Sequence, residues 1–190
     1  MLMIDLLSPQ ILGPLFGLSE FGLLLWKRSR GNAQSADSGS LGVLWIVILA
    51  GQGLAIAAAI FVPDANSGYL IRLRPIGGAL FAGGLALRWY AIFYLGRLFT
   101  VNVAIASDHA LIDSGPYRYI RHPSYTGALL ALLGLGICFG NWLSLIIAVL
   151  PPLMAFMRRI AIEEQALSRA LGDSYVRYMA RTKRLLPFIY

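Results

Sequence analysis

Charged residues are scarce in this sequence. Only 13% of its 190 residues are charged, whereas soluble domains average about 25%. A soluble chain of this length could bury a core, but it could not solvate several charge-free stretches that each approach the ~18 to 20 residues of a membrane span. The low charge therefore excludes an ordinary soluble domain and predicts a single integral membrane domain over residues 1–190.

Cysteine and histidine are scarcer still. The single cysteine, Cys138, lies within an apolar run, which excludes both a disulfide framework and a cysteine metal site. The two histidines, His109 and His122, do not belong to an HExxH motif. We therefore predict no metal site. The N-terminus also lacks a basic n-region and an A-x-A cleavage site, so we expect the first apolar segment to be retained.

Five apolar segments account for half of the chain. They cover Pro9 to Trp26, Leu41 to Val62, Pro75 to Gly96, Pro123 to Phe139 and Trp142 to Met157. We predict an all-α membrane protein with about five transmembrane helices. Only Gly140 and Asn141 separate the last two, which predicts a tight hairpin, and Pro151 and Pro152 should kink its second arm.

Glycines recur within these apolar segments. Gly134, Gly136 and Gly140 superficially resemble a nucleotide-binding loop, but no strand precedes them. Small residues inside apolar helices allow helix backbones to approach closely. We therefore predict close helix packing at these glycines and at those of PIGGALFAGG.

The distribution of positive charge predicts the orientation. With the N-terminus outside, the inner regions 27–40, 97–122 and 158–190 hold 13 of the 16 lysines and arginines. The outer loop 63–74 holds two, and Arg88 lies inside the third span. Basic residues collect in cytoplasmic loops, so the C-terminus and RHPSY should be cytoplasmic. The net charge of +7 then reflects contact with anionic lipids and not with nucleic acid.

After Arg159 the sequence becomes amphipathic. Apolar residues recur at three- and four-residue spacing, at Leu167, Leu171, Tyr175, Tyr178 and Met179. This pattern predicts an amphipathic helix on the inner membrane surface, weakened at Gly172 and ended by Pro187. Alone, the same pattern also fits an interfacial anchor.

Ionisable residues gather where the last two spans meet the inner surface. They are Asp108, His109, Arg121, His122, Tyr125, Arg158, Arg159, Glu163 and Glu164. Because the hairpin arms are nearly equal in length, we expect His122 and Arg159 to lie at similar depth on adjacent helices. Taken singly, the arginines could anchor span ends, His122 could begin a helix and the glutamates could complement the start of the next helix. Together, charges held near hydrocarbon indicate a functional site.

Two segments of the C-terminal half carry a family resemblance. They are DHALIDSGPYRYIRHPSYTG and, after the hairpin, RRIAIEEQALSRALGDSYVRYMARTKRLLP. The pattern RHPxYxG, an arginine after the hairpin, an EExxL helix start and GxxYxxY before a closing LP closely resembles the isoprenylcysteine carboxyl methyltransferase family of integral membrane enzymes. We expect 97–190 to form a catalytic part and 1–96 a three-helix N-terminal part.

The resemblance implies an S-adenosylmethionine-dependent methyltransferase that releases S-adenosylhomocysteine. The cofactor would lie between the cytoplasmic ends of the last spans and the C-terminal helix, which would cover it. The implied cofactor-binding residues are His109, Leu111, Ile112, Tyr117, Arg121, His122, Tyr125, Glu163 and Glu164. Arg159 matches the arginine thought to orient the acceptor. Arg159 and His122 are the catalytic candidates, and either histidine could take a proton from a neutral acceptor.

The resemblance leaves the methyl acceptor open. It implies a lipophilic acceptor that enters sideways from the bilayer. Eukaryotic members carry aromatic residues just after RHPSY, where this chain has TGALLALLG, so we expect a different acceptor tunnel. The small size and lone N-terminal hairpin indicate a prokaryotic member, for which another lipophilic acid or a phenolic lipid is as plausible an acceptor as prenylcysteine.

Two other functions fit parts of the pattern. Membrane sterol reductases share a related C-terminal half and bind a nicotinamide cofactor there, but they have about twice the spans. A non-catalytic membrane protein could keep the scaffold as a binding module or accessory subunit. The EExxL segment favours methyl transfer over reduction, and the presence of His122, Arg159 and Glu164 together favours an enzyme.

Overall fold

A computed structural model describes residues 6–26, 34–35, 39–99, 104–105, 111–187 and 189–190 of the chain. Its helices are α1 (Pro9–Trp26), α2 (Ser40–Phe61), α3 (Gly68–Arg72), α4 (Arg74–Leu95), α5 (Pro123–Cys138), α6 (Trp142–Leu171) and α7 (Asp173–Arg181). Short 3₁₀ turns cover Pro63–Ala65, Gly96–Leu98 and Gly115–Arg118. Two-residue strands, β1 (Gln34–Ser35) and β2 (Ala104–Ile105), pair antiparallel. Isolated β-bridges join Asn66 to Asn141 and Ile120 to Lys183.

The all-α membrane fold is confirmed. Helices α2, α4 and α6 are long and apolar enough to cross a bilayer, with 22, 22 and 30 residues. Helix α5 is apolar but has 16 residues, and α1 has 18. The predicted bounds of the first four segments agree with α1, α2, α4 and α5 to within one residue at each end. The count of five spans stays a prediction.

Helix α6 departs from the prediction. The sequence suggested that the fifth span ends near Met157 and that a separate amphipathic helix starts at EExxL. Instead α6 continues unbroken through Pro151 and Pro152 to Leu171, so that EExxL lies well inside it. The residues between Arg159 and Leu171 are mostly good helix formers with no glycine or proline among them, so nothing local ends the helix.

Gly172 ends α6 where the sequence predicted only a weak point. Its φ of 55° is in the left-handed region, which glycine adopts without steric cost and which commonly terminates helices. The next helix, α7, stops at Arg181, six residues before Pro187, so the predicted end at Pro187 is wrong. The buried face of α7 carries Tyr175 and Tyr178, which pack against the protein. This contact argues against the interfacial-anchor interpretation.

Helices α4 and α5 approach each other closely through glycines, as predicted. A Cβ added at Gly84 would lie 2.5 Å from the Ala131 nitrogen, and one at Gly134 would lie 2.3 Å from the Gly77 oxygen. No side chain fits at these positions without moving the backbone. Gly140 plays a different part, because its φ of 69° places it in the turn of the α5–α6 hairpin and not in a helix interior.

Polar side chains close the hairpin at the end of the bundle opposite RHPSY. The Asn141 Oδ1 accepts a hydrogen bond from the Ser144 N–H at 2.9 Å and caps α6. The Asn141 amide donates to the Val62 carbonyl at 3.0 Å and to Asn66 Oδ1 at 2.9 Å. Arg74 Nε donates to the Cys138 carbonyl at 3.1 Å. These bonds tie the hairpin to the connection between α2 and α4.

The hydrophobic core runs through the middle of the bundle. It contains Leu12, Phe16, Leu44, Ile48, Phe81, Ala128, Ala131, Leu132, Leu135, Cys138 and Phe156. These residues come from α1, α2, α4, α5 and α6, so the core joins the N-terminal and C-terminal parts. Tyr125 packs against this core from the RHPSY end, which sets the depth of the polar residues described next.

Candidate functional site

The chain after α7 returns along the start of α5. Residues 182–187, here called the C-terminal strap, run parallel to the RHPSY segment. The Arg121 N–H donates to the Lys183 carbonyl at 2.8 Å, and the His122 N–H donates to the Arg184 carbonyl at 3.0 Å. The Thr126 hydroxyl donates to the Leu185 carbonyl at 2.8 Å. The strap therefore satisfies backbone donors that precede α5 and fixes the position of RHPSY.

Glu164 joins three elements of the site. Its side chain is 7% exposed, and Oε1 accepts a hydrogen bond from Arg121 Nε at 2.7 Å. His122 Nε2 lies 3.3 Å from the same oxygen. Oε2 accepts from Arg184 Nε at 2.9 Å. A buried carboxylate is stable when cationic donors surround it, so Glu164 links α6 to RHPSY and to the C-terminal strap.

Tyr125 connects a stack of rings to a second carboxylate. The His122 and Tyr125 rings are stacked, with centroids 5.5 Å apart and an interplanar angle of 7°. Phe156 supports Tyr125 from the core side, with centroids 5.1 Å apart. The Tyr125 hydroxyl donates to Glu163 Oε2 at 2.7 Å. The Glu163 side chain is 29% exposed, so this carboxylate is hydrogen-bonded and still partly accessible.

Arg159 lies where α2, α5 and α6 meet. It is 2% exposed, its Nε donates to the Tyr125 hydroxyl at 3.1 Å, and its Nη1 donates to the Ser40 hydroxyl at 3.0 Å. Tyr125 contacts both His122 and Arg159, so the two residues are brought together as expected, and their similar depth stays a prediction. A surface anchor would be exposed, as the neighbouring Arg158 is. The buried position of Arg159 therefore requires another explanation.

The segment before RHPSY borders the same region. Tyr117 is buried, and its hydroxyl donates to the Ala91 carbonyl at 3.2 Å, while the Tyr178 hydroxyl donates to the Tyr117 carbonyl at 2.6 Å. Burial raises the pKa of Tyr117 and raises the pKa of Tyr178 to about 12, so both act as neutral donors. Leu111 and Ile112 are half-buried. Asp108 and His109 lie outside the described residues.

A groove opens beside this segment. Its volume is about 250 Å³, and its lining residues are Leu111, Ser174, Arg177, Tyr178 and Arg181. One wall comes from the segment before RHPSY and the other from α7. The groove thus reaches from solvent to the buried Tyr178, which itself contacts Tyr117.

Sequence reasoning missed several polar partners. Ser40 and Arg184 come from the first turn of α2 and from the C-terminal strap, far in sequence from the residues they contact. A buried ion pair between Glu20 of α1 and Arg88 of α4 was also missed. The sequence did contain a sign of that pair, because Glu20 is the sole charged residue of the first apolar segment. A lone charge inside a span generally has a partner there.

Comparison of the sequence with protein families gives a match over the helices that form this site. The family model described as the isoprenylcysteine carboxyl methyltransferase (ICMT) family matches residues 78–169. That range contains most of α4, all of α5 and most of α6, and therefore includes RHPSY and the residues from Arg159 to Glu164.

Several curated relatives are named as isoprenylcysteine methyltransferases. Protein-S-isoprenylcysteine O-methyltransferase B of Arabidopsis thaliana is 32% identical over 136 residues, which cover 70% of this chain and 68% of the relative. The Schizosaccharomyces pombe protein-S-isoprenylcysteine O-methyltransferase is 36% identical over 108 residues, which cover 56% of this chain and 46% of the relative.

A solved structure supports the same relationship. The eukaryotic intramembrane Ras methyltransferase ICMT superposes with a TM-score of 0.63 at 31% sequence identity. The match covers 76% of this chain and 52% of that one. The chain thus spans about half the length of several of its relatives. With the family pattern, the matched range and the shared fold in agreement, the chain belongs to the isoprenylcysteine carboxyl methyltransferase family.

Proposed function

We propose that this protein transfers a methyl group from S-adenosylmethionine to a lipophilic acceptor at the cytoplasmic face of the membrane, with S-adenosylhomocysteine as the product. The observation that carries the proposal is the position of Arg159. A buried guanidinium at the junction of three helices is costly to maintain unless it serves a purpose. Here it contacts a tyrosine that also contacts an accessible carboxylate, Glu163.

The residues around RHPSY suit this cofactor chemically. S-adenosylmethionine supplies a methyl group on a cationic sulfonium and also carries an ammonium group, so carboxylates and aromatic faces favour its binding. Glu163 is the accessible carboxylate for the ammonium group or the ribose hydroxyls, and Tyr125 and His122 supply aromatic faces. Our candidates for contact with the adenosine remain Leu111, Ile112 and Tyr117. His109 remains a candidate for another contact with the cofactor.

The two adjacent glutamates have separate roles in this proposal. Glu164 accepts hydrogen bonds from two arginines and lies within 3.3 Å of His122 Nε2, so its oxygens are already engaged by the protein. We assign it to hold Arg121 and His122 in place at the rim of the cofactor site. Glu163 Oε2 accepts from the Tyr125 hydroxyl and lies 3.9 Å from His122 Nδ1, but the side chain stays 29% exposed, so we assign Glu163 to bind the cofactor directly.

Methyl transfer from a sulfonium is an in-line displacement that depends on positioning and on exclusion of water. Arg159 and His122 are 2% and 5% exposed, so both are shielded from water. Arg159 attracts an anionic acceptor, either a carboxylate or a phenolate, and holds it by charge-assisted hydrogen bonds. For a neutral acceptor, His122 accepts the proton, and nearby Glu163 and Glu164 stabilise the imidazolium.

The acceptor class follows from the same site. The curated relatives act on isoprenylcysteine by name. An isoprenylcysteine offers a carboxylate on a lipid chain, which fits a buried arginine reached from the bilayer. Other lipophilic acids and phenolic lipids share both features and remain candidate acceptors.

Cofactor binding and transfer can be measured on the purified protein. Calorimetry should detect binding of S-adenosylmethionine and S-adenosylhomocysteine, and labelled methyl groups should appear on at least one member of a panel of prenylcysteines, lipophilic acids and phenols. Binding of NADPH, with no binding of S-adenosylmethionine or S-adenosylhomocysteine, would indicate a reductase. Binding of none of the three, with no transfer, would favour a non-catalytic accessory protein. Either result would overturn the proposal.

A further inference from the structure

A second buried polar cluster lies one helix away from Arg159. Arg88 of α4 pairs with Glu20 of α1 through two hydrogen bonds, from Nε to Oε1 and from Nη2 to Oε2. Its third nitrogen, Nη1, donates to the carbonyl of Ser124 at 3.2 Å and to the Ser124 hydroxyl at 3.1 Å. All three residues are buried, with exposures of 4 to 6%.

The packing of α4 on α5 brings this cluster within reach of RHPSY. A Cβ added at Gly127 would lie 2.5 Å from the backbone nitrogen of Arg88, so the backbones of α4 and α5 are in contact at this level. That contact brings the Arg88 guanidinium to the first turn of α5. Ser124 lies in sequence between His122 and Tyr125, whose rings stack on each other, and the Tyr125 hydroxyl contacts Arg159.

The Glu20 pair determines the direction of the remaining nitrogen. A guanidinium is planar, and a two-pronged pair with a carboxylate fixes that plane. With Nε and Nη2 bound to Glu20, Nη1 is held toward Ser124. Glu20 therefore acts on α5 through Arg88, although α1 itself provides no residue to the site described above.

We propose that Arg88, oriented by Glu20, is a positioning residue that holds the first turn of α5 so that Tyr125, stacked on His122, contacts Arg159. Its consequence for turnover rests on the proposed methyltransferase function. The position of the turn itself is independent of that function. The family-model match begins at residue 78 and so includes Arg88 but not Glu20.

The opposing explanation is that the ion pair only joins α1 to α4. A neighbouring contact already does that, since Trp89 Nε1 donates to the Ser19 hydroxyl at 2.8 Å between the same two helices. Ser19 and Trp89 do not extend to α5 in this way, which makes Ser19→Ala a matched control. It removes a polar contact between α1 and α4 and leaves Ser124 untouched.

The test compares two variants with the Ser19→Ala control by enzyme kinetics and by hydrogen exchange. The double variant Glu20→Met with Arg88→Met replaces the buried pair by apolar side chains, which commonly preserves stability. The single variant Arg88→Lys keeps a charge for Glu20 but lacks the fork needed to hold Glu20 and Ser124 together. For each, kcat and the cofactor KM are measured, and hydrogen exchange of residues 121–126 is followed in the cofactor-free protein.

We expect both variants to lower kcat about tenfold or more, with the cofactor KM within about threefold of wild type, because misplacement affects the transition state more than binding. Exchange of residues 121–126 should become faster in both, and Ser19→Ala should change neither quantity. Normal kcat in Arg88→Lys, or in a folded double variant, overturns the positioning role even if exchange is faster. If the double variant does not fold, Arg88→Lys alone decides.

Failure of the proposed function would look different. Wild-type protein would then neither bind S-adenosylmethionine nor transfer a methyl group, whereas the exchange measurement would still report whether Arg88 orders residues 121–126. Exchange that is unchanged in both variants would contradict the positioning role regardless of activity.

Discussion

At the residue scale, two adjacent arginines of α6 lie in opposite environments. Arg159 is buried among α2, α5 and α6, and Arg158 is exposed. If Arg159 holds the acceptor, Arg159→Ala should lower turnover by ~10²-fold or more while cofactor affinity stays within a few fold, since the lost interaction positions the acceptor. Arg159→Lys should restore little because an ammonium cannot make a planar two-pronged contact.

Arg158→Ala is the matched control for this prediction. Both substitutions remove one positive charge from the same turn of α6, so a general loss of attraction to anionic lipids would affect both. Turnover and cofactor titration on the same purified variants separate the two explanations. Normal methylation by Arg159→Ala would show that Arg159 has only a structural role. Equal losses of turnover in Arg159→Ala and Arg158→Ala would indicate an effect of charge at the membrane surface.

Substitutions of the adjacent Glu163 and Glu164 should separate cofactor binding from stability. Glu164→Gln removes the charge that Arg121 and Arg184 share, and we expect a loss of about 2 to 3 kcal/mol in stability. Glu163→Gln keeps an acceptor for the Tyr125 hydroxyl, so stability should change by less than about 1 kcal/mol. Cofactor affinity should fall in Glu163→Gln by ~1.5 to 3 kcal/mol, the strength of a charge-assisted hydrogen bond.

Thermal unfolding and calorimetry on both variants test this assignment. If Glu164→Gln is as stable as wild type but binds the cofactor tenfold more weakly, then Glu164 and not Glu163 is the carboxylate that binds the cofactor. The sequence alone could place both glutamates near RHPSY, because the short hairpin turn brings the two ends together. It could not distinguish them, since the partner that separates their roles, Arg184, approaches from the C-terminal strap.

At the element scale, the contact between α4 and α5 depends on individual glycines. Gly83 and Gly84 are adjacent, but a Cβ at Gly84 would meet the α5 backbone at 2.5 Å and one at Gly83 would meet nothing within 4 Å. Gly84→Ala should therefore destabilise the protein by about 1 to 3 kcal/mol through overpacking. Gly83→Ala should be neutral or stabilise by up to ~1 kcal/mol, because alanine favours the helix.

Thermal unfolding of the two variants in the same detergent checks the contact. Equal stabilities for Gly83→Ala and Gly84→Ala would show that α4 and α5 do not approach each other through Gly84. Gly84 lies one helical turn from Arg88, so Gly84→Ala should also lower turnover if the two helices separate near Ser124.

The hydrogen bond from Tyr178 of α7 to the Tyr117 carbonyl gives a pH-dependent prediction. Burial raises the pKa of Tyr178 to about 12 from its usual value of 10.0, so the folded protein keeps this proton where the unfolded chain loses it. Stability should therefore fall as the pH rises from about 10 to 12. Tyr178→Phe removes the hydrogen bond to the Tyr117 carbonyl, costs about 1 kcal/mol at neutral pH and should reduce this slope.

Unfolding curves at pH 8, 10 and 11 for wild type and Tyr178→Phe measure the difference. Tyr117 and Tyr175, whose pKa values are also raised by burial, leave part of the slope in the variant. An unchanged slope would mean that Tyr178 does not remain protonated in the folded protein over this range.

The elements themselves were largely predictable, for a physical reason. Apolar segments bounded by polar residues or proline define helices in a membrane, and this rule gave α1, α2, α4 and α5 to within one residue. The rule failed for α6, because a change from apolar to amphipathic composition at Arg159 does not interrupt backbone hydrogen bonding. A helix ends where the backbone must change conformation, and here that residue is Gly172.

At the scale of the whole molecule, polar interactions collect at two opposite ends of the bundle. One end contains Asn66, Asn141 and Arg74, and the other contains RHPSY, Arg159 and Ser40. The sequence divides its positive charge in a similar way, with 13 of the 16 basic residues in the predicted inner regions 27–40, 97–122 and 158–190. Sequence reasoning could predict this polarity because it depends on composition, whereas the contacts within each end depend on packing.

This division predicts which end faces the cytoplasm. Single cysteines at Asp64, beside Asn66, and at Arg169, beside Ser168, occupy exposed positions at opposite ends. A membrane-impermeant thiol reagent applied to intact cells should label Asp64→Cys and should label Arg169→Cys only after the membrane is opened. Wild type is the control, because its sole cysteine, Cys138, is buried and should not react. Labelling of Arg169→Cys in intact cells would place the site outside, away from a cytoplasmic cofactor, and would contradict the topology on which the proposed function depends.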